Sequence, residues 1–429
     1  MQHLRRSTPA GIAIAAICLV ALAACGGRAD SESGSSGGEG SAGAPAEAPG
    51  FDGTTITVGA LTPTSGRVAV IGNPVTVGNQ IYFDMINESG GIAGKYPVEV
   101  LVRDSKYEST TAAQEYQATK DDVSMYVQLL GTQVVSSLLP DLEQDGIVAS
   151  PASLDSFWVR EQNLLPWGGP YQIQVVNGVD WYLTEGGGEG KTICSLTQDD
   201  AYGATGRDGL AFVAEQHGIT LGKQVQFTLG TTDYTTHINQ LKGAGCHAVL
   251  LTATPADTAG ALGKAAQVGF EPQWLGQSPT WLKPLFEGDL KDYAEKNLVI
   301  LAEGGAWDES ASKGMGEMIG ALEKYAPDTA ADWYLTVGWT QARATHQVLE
   351  AAVESGDLSR EGIIEAMNSL DTITADGMFG DYGWGAPEDR EPSRSSTIYA
   401  VDIDGSPMGI TPKAQDYTSD AAAEYSFDN

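Results

Sequence analysis

Ile56-Thr57-Val58-Gly59-Ala60-Leu61, followed by Thr62-Pro63-Thr64-Ser65-Gly66, opens the stretch that decides the fold, which runs to Asp104. The first six residues mix β-formers with small residues and read as a strand. Thr62 to Gly66 breaks it with turn chemistry. Val77, Ile81, Met85 and Ile86 then recur at helical spacing, which predicts a helix from Val75 to Asn87. Ser89-Gly90-Gly91 ends it, because glycine takes the left-handed C-terminal conformation without steric cost. Val98 to Val102 is the next strand. Strand, loop, helix and strand in this order imply a parallel sheet, and such sheets bind ligands beyond the carboxyl ends of their strands. The loop from Thr62 to Gly72 is therefore a candidate ligand wall, although a unit standing alone would make it an ordinary connector.

The unit does not stand alone. Helices are predicted at Ser109–Lys120 and Val134–Asp145, and strands at Met125–Leu130 and Gly146–Ala149. Gly131-Thr132-Gln133 and Ser150-Pro151-Ala152-Ser153 sit at the carboxyl ends of those two strands. Such loops, and the helix N-termini beyond them, offer N–H groups and hydroxyls to an anion or a polar ligand. Pro166 to Pro170 reads as a crossing segment, and then the order begins again. Strands at 191–196, 225–228, 248–251 and 273–275 alternate with helices at 173–183, 206–217, 234–243 and 258–269. Leu298–Leu301 is a strand that leads into a second crossing at Ala302 to Asp308. Helices follow at Met315–Ala326 and Trp333–Glu354, a third crossing at Met378 to Tyr382, and a last strand at Ser396–Asp404. Two α/β lobes in tandem leave a natural ligand site between them.

Arg5 and Arg6 precede an apolar run from Ala10 to Ala24. The run is too short to span a bilayer comfortably and suits the core of a secretory signal. Leu22-Ala23-Ala24-Cys25 resembles a bacterial lipobox, which implies cleavage before Cys25 and a diacylglycerol thioether on its sulfur. Residues 25–53 are mostly Gly, Ser, Ala, Pro and Glu, a composition that predicts a flexible tether. Gly34-Ser35-Ser36-Gly37-Gly38 fits the G-x-S-x-G nucleophile elbow in letters only, since no strand precedes it and no helix follows. Glu185 to Thr192 resembles a phosphate-binding loop, but Glu185 stands at its first glycine position and a strand follows it, so nucleotide binding is not expected.

The formal net charge is −32, and loss of residues 1–24 with Arg5 and Arg6 takes it to −34. Such a surface argues against nucleic acid and anionic lipid as partners. Cys194 and Cys246 remain in an exported setting, as a disulfide or as two buried thiols. Two cysteines alone make a poor metal site, so no metal site is expected. The five histidines pair with no plausible nucleophile, so no catalytic residue and no cofactor are expected.

The segments Ile56 to Gly66, Ile86-Asn87-Glu88-Ser89-Gly90-Gly91-Ile92 and Asp104 resemble the leucine/isoleucine/valine-type solute-binding proteins. Asp233-Tyr234 through Gln240 to Gly245, Ala248 to Leu251, and Ala265 to Phe270 before Gln273 to Gly276 continue the likeness, which covers roughly Thr55 to Asp404. The resemblance implies a type I periplasmic-binding fold of class α/β, two Rossmann-like lobes joined by a three-segment hinge. The lobes expected from it are 54–167 with 308–379, and 168–307 with 380–429. It implies capture of a small organic solute by hinge closure and delivery to an ABC importer, hence permease subunits as partners. By the same resemblance, the first-lobe aromatic falls at Ile71, and the Ser/Thr pair that grips a carboxylate falls near Thr132-Gln133 and within Ser150 to Ser153, which makes Thr132, Gln133, Ser150, Ala152 and Ser153 candidate ligand contacts. The second-lobe aromatic falls at Tyr202, a second tyrosine position at Thr254, and the acid that grips an ammonium at Ser278. A serine cannot neutralise an ammonium. Asp199 or Asp200 could replace the acid; otherwise the solute is a carboxylate, an amide or a more apolar compound. Trp281 and Trp307 lie near the predicted cleft edges, with core packing as their alternative.

The expectation is a monomeric receptor anchored through Cys25 to the outer face of the cell membrane. The alternative is a sensor that passes ligand occupancy to a membrane signalling partner.

Overall fold

The computed structural model describes residues 45–428. The expected signal, Cys25 and residues 26–44 of the expected tether lie outside the described residues. The packed chain begins before residue 54: Ala48 pairs with Phe51, and the Phe51 ring is buried against Tyr96 at 5.0 Å.

Strand β1 (Ile56–Thr62) pairs in parallel with β2 (Val98–Asp104), Ile56 opposite Val98 and Thr62 opposite Asp104. Helix α1 between them runs Ala69–Glu88, so the second half of the expected Thr62–Gly72 loop is helical. Pro74 falls within its early turns, where a proline costs only one carbonyl partner. That carbonyl belongs to Val70, which is 40% exposed. Asp104 pins what remains of the loop, accepting from Thr64 N–H at 3.0 Å and Ser65 Oγ at 2.6 Å.

The first lobe continues with α2 (Ser109–Thr119), β3 (Tyr126–Leu129), α3 (Thr132–Asp145) and β4 (Ala149–Pro151), and its parallel sheet is ordered β2-β1-β3-β4. Residues 152–170 cross to the second lobe. There α4 (Tyr171–Thr184), β5 (Ile193–Gln198), α5 (Ala201–Gln216), β6 (Gln224–Phe227), α6 (Thr235–Gly243) and β7 (Ala248–Thr252) follow. The lobe goes on through α7 (Pro255–Gln267), β8 (Gln273–Gln277), α8 (Lys291–Asn297) and β9 (Leu298–Ala302).

Residues 303–312 cross back to α9 (Lys313–Tyr325), α10 (Trp333–Ser355) and α11 (Arg360–Asn368), which complete the first lobe. The third link, residues 369–395, includes the short paired strands β10 (Thr372–Ile373) and β11 (Tyr382–Gly383). It returns the chain to β12 (Ser396–Val401), β13 (Ile410–Tyr417) and α12 (Asp420–Glu424). The second sheet is ordered β13-β12-β9-β8-β7-β5-β6, with β12 and β13 antiparallel to their neighbours. The expected last strand therefore stops at Val401, short of Asp404. β13 escapes the sequence pattern because it is an edge strand that carries Pro412, a residue that edges tolerate.

Cys194 on β5 and Cys246 just before β7 form a disulfide, with Cα atoms 5.8 Å apart. This decides between the two alternatives the sequence left open.

α1 and α10 touch at the backbone. A Cβ on Gly78 would meet Leu335 O at 2.3 Å, and one on Gly338 would meet Val75 O at 1.9 Å. The contact brings Trp333 and Tyr334, at the start of α10, beside the first turns of α1. A Gly338→Ala variant is expected to lose about 1–3 kcal/mol of stability from overpacking, read as a lower urea midpoint at unchanged slope.

Candidate functional site

A cavity lies where the two lobes meet. It occupies the carboxyl ends of the strands, as expected for open α/β sheets. The N-terminal parts of five helices of ten residues or more converge on it: α1 contributes Ile71 and Val75, α3 Thr132, α4 Tyr171, α5 Tyr202, and α10 Trp333, Tyr334 and Val337. Thr254, the residue before α7, adds another wall.

The lining is apolar with a few hydroxyls. Six aromatic rings surround the space: Tyr107, Trp167, Tyr171, Tyr202, Trp333 and Tyr334. Tyr202 sits edge-on to Tyr171 at 5.4 Å. Val68, Leu130, Leu154 and Pro279 add aliphatic surface, and no charged side chain of the described residues lines the cavity. Burial holds the phenol pKa values of Tyr107, Tyr171, Tyr202 and Tyr334 above their ordinary value, so these rings stay neutral.

Most hydroxyls on the wall already have partners. Thr254 Oγ1 donates to Asp257 at 2.6 Å, Ser278 Oγ donates to Gln174 Oε1 at 2.9 Å, and Ser153 Oγ accepts from Trp158 Nε1 at 3.1 Å. Thr132 Oγ1 and the Tyr202 hydroxyl, however, are buried without a hydrogen-bond partner among the described residues. Buried polar atoms are rarely left unpaired, since each costs about 1–3 kcal/mol. One lies in the first lobe and one in the second.

The lobes are drawn together across this space. Tyr334 OH of the first lobe donates to Pro279 O of the second at 3.0 Å. Arg67, before α1, reaches Asp257 of α7 at 3.9 Å.

Of the residues expected at the site, Ile71, Thr132, Ala152, Ser153, Tyr202, Thr254 and Ser278 line the cavity. Three stand off it. Gln133 turns away to donate to Tyr107 O at 3.0 Å. Ser150 lies beneath the wall, where Gln341 Nε2 donates to its carbonyl at 3.2 Å. Trp281 stacks on Phe286 at 4.8 Å and donates to Met408 O at 2.8 Å, so it is core packing. Trp307 is half-buried against the hydrophobic core and also stands off the cavity wall.

Neither candidate acid reaches the cavity. Asp200 caps α5 through Gly203 N–H at 2.9 Å, and Asp199 accepts from Thr228 Oγ1 at 2.8 Å. Both carboxylates are used by the backbone and its neighbours.

Sequence reasoning missed Tyr107, Trp167, Tyr171, Trp333 and Tyr334. The first three had a signal. Tyr107 follows the carboxyl end of β2, and Trp167 and Tyr171 flank the first crossing. Trp333 and Tyr334 had none, because only the contact of α10 with α1 brings them in.

The sequence model of the family described as periplasmic binding protein matches residues 55–406. Leu/Ile/Val-binding protein homolog 7 of Brucella abortus is 22% identical over 375 residues, covering 84% of this chain and 92% of that relative. Homolog 3 of Brucella melitensis is 25% identical over 197 residues, covering 45% of this chain, so the match spans about half (53%) of that relative. Among solved structures, a fatty acid ABC transporter substrate-binding protein from Thermomonospora curvata aligns with a TM-score of 0.82 at 24% identity. That alignment covers 89% of this chain and 97% of the other.

Proposed function

The chain belongs to the periplasmic binding protein family, and from that premise we propose that it is a lipid-anchored receptor that closes on an aliphatic carboxylate and hands it to an ABC importer. The observation that carries the choice of solute is the uncharged, aromatic-walled cavity with two unpartnered hydroxyls. An α-amino acid would bury its ammonium there with no acid to meet it, at a cost of several kcal/mol. A fatty acid asks for less. Its chain is matched by the aliphatic and aromatic lining. Its head can take hydrogen bonds from Thr132 Oγ1 and the Tyr202 hydroxyl, with the positive end of α3 behind Thr132. The relative from Thermomonospora curvata offers the same fold under a fatty acid name.

Anchoring through Cys25 follows from the lipobox, and two or three acyl chains hold far better than one. On this reading we put the lobe exchanges near residues 167, 307 and 379.

The test is a thermal-shift comparison of the delipidated, refolded protein with palmitate, octanoate, benzoate, leucine and valine. Palmitate at about 100 times its dissociation constant is expected to add roughly 2.7 kcal/mol of stability, and leucine none. A shift with leucine and none with any carboxylate lacking an ammonium would sink this choice of solute.

A further inference from the structure

All three links between the lobes meet on one side chain. Glu303 is the first residue of the second link and is 2% exposed. Its carboxylate accepts from Gly169 N–H in the first link, and from Gly380 N–H at 2.9 Å and the Ser393 hydroxyl in the third. Glycines at positive φ adjoin it on two links, Gly168 at 66° and Gly304 at 98°, so the backbone pivots there without a side-chain penalty. Among the described residues, the titratable groups that bear on Glu303 are Asp416, Tyr382 and Tyr399, none of them a cation, and no ion pair reaches its carboxylate. A buried carboxylate without a cation depends on its hydrogen-bond donors. Here the donors come from segments that must move relative to one another when the lobes part.

The same carboxylate is wired to the ligand wall. Gly169 O accepts from Gln174 Nε2 at 3.0 Å, and Gln174 Oε1 accepts from Ser278 Oγ at 2.9 Å. Ser278 lines the cavity. Glu303 and Gln174 do not.

We propose that Glu303 is the positioning residue of the hinge. It ties the three links in the closed arrangement, and Gln174 and Ser278 carry that geometry to the pocket wall. Neither Glu303 nor Gln174 touches the solute, so both act on affinity through the population of the closed state. This rests on the reading of the protein as a receptor that closes on its solute.

The test uses the full chain with two near-isosteric variants, Glu303→Gln and Gln174→Leu, and two readouts. The first is amide hydrogen exchange without ligand. In Glu303→Gln an amide N–H replaces one acceptor, so Gly169 and Gly380 are expected to exchange at least about tenfold faster while β5 and β7 stay protected. The second is palmitate affinity. Its dissociation constant is expected to rise roughly tenfold in Glu303→Gln and less in Gln174→Leu, as a fall in the closed population requires. Unchanged exchange at Gly169 and Gly380, or unchanged palmitate affinity in Glu303→Gln, would overturn the proposal. If Glu303→Gln does not fold, Gln174→Leu decides, and wild-type affinity in that variant overturns the coupling. If palmitate does not bind the wild-type chain, the choice of solute fails and the exchange measurement alone judges the hinge.

Discussion

A Tyr202→Ala protein is expected to bind palmitate about 100-fold more weakly than the wild-type chain, a loss of roughly 3 kcal/mol. The ring is 4% exposed, packs edge-on to Tyr171 and projects from the first turn of α5 into the cavity. Its removal takes away wall area and the second-lobe hydroxyl together. Tyr202→Phe separates the two. The hydroxyl is buried without a partner among the described residues, so deleting it should leave stability unchanged or raise it by up to about 1 kcal/mol. A carboxylate head that takes its hydrogen bond from this group would lose about 1.5 kcal/mol or more, roughly tenfold in affinity. The opposite signs on stability and affinity are the signature. Isothermal titration gives the affinity and urea unfolding the stability. Equal palmitate affinity for Tyr202→Phe and wild type would place the head group elsewhere, with Thr132 as the remaining unpartnered hydroxyl on the wall.

The largest loss of stability is expected from the disulfide. Cys194 and Cys246 are 52 residues apart in sequence, and closing a loop of that length in the unfolded chain is worth about 4 kcal/mol on the chain-entropy model. A Cys194→Ala/Cys246→Ala protein should therefore show a markedly lower urea midpoint. Exchange should quicken first in α5, β6 and α6, the segment that the cross-link encloses. Both sulfurs belong to buried residues, so dithiothreitol should act slowly on the native protein and quickly once urea opens it. A double variant as stable as wild type would mean that the core of the second lobe holds β5 and β7 in register by itself.

Much of this molecule is local information. The alternation of short apolar runs with glycine-stopped helices reports the two parallel sheets, because strand and helix periods are properties of a few neighbouring residues. Ile56–Asp104 suffices to set the parallel β1–β2 pairing, and loops at the strand ends follow from it. Thr132, Ala152, Ser153 and Tyr202 were accessible in this way, since each stands where a strand gives way to a helix. Ser278 was legible as well, and its lack of charge already turned attention from amino acids.

The tertiary structure decided the rest. Whether Asp199 and Asp200 replace the missing acid could not be read from their position beside Tyr202; a helix cap and a neighbouring threonine take both carboxylates. Trp281 has the composition of a ligand wall and the environment of a core, because Phe286 and Met408 O reach it first. Trp333 and Tyr334 enter the site only because Gly78 and Gly338 let α1 and α10 meet backbone to backbone. The meeting of Gly169, Glu303, Gly380 and Ser393 joins residues that are far apart in the chain. The sequence by itself determined the elements, their order and the sheet edge where the cavity lies, because these depend on short-range periodicity. Which side chains face the ligand, and which are used up by one another, depends on contacts between distant segments, and those exist only once the lobes have packed.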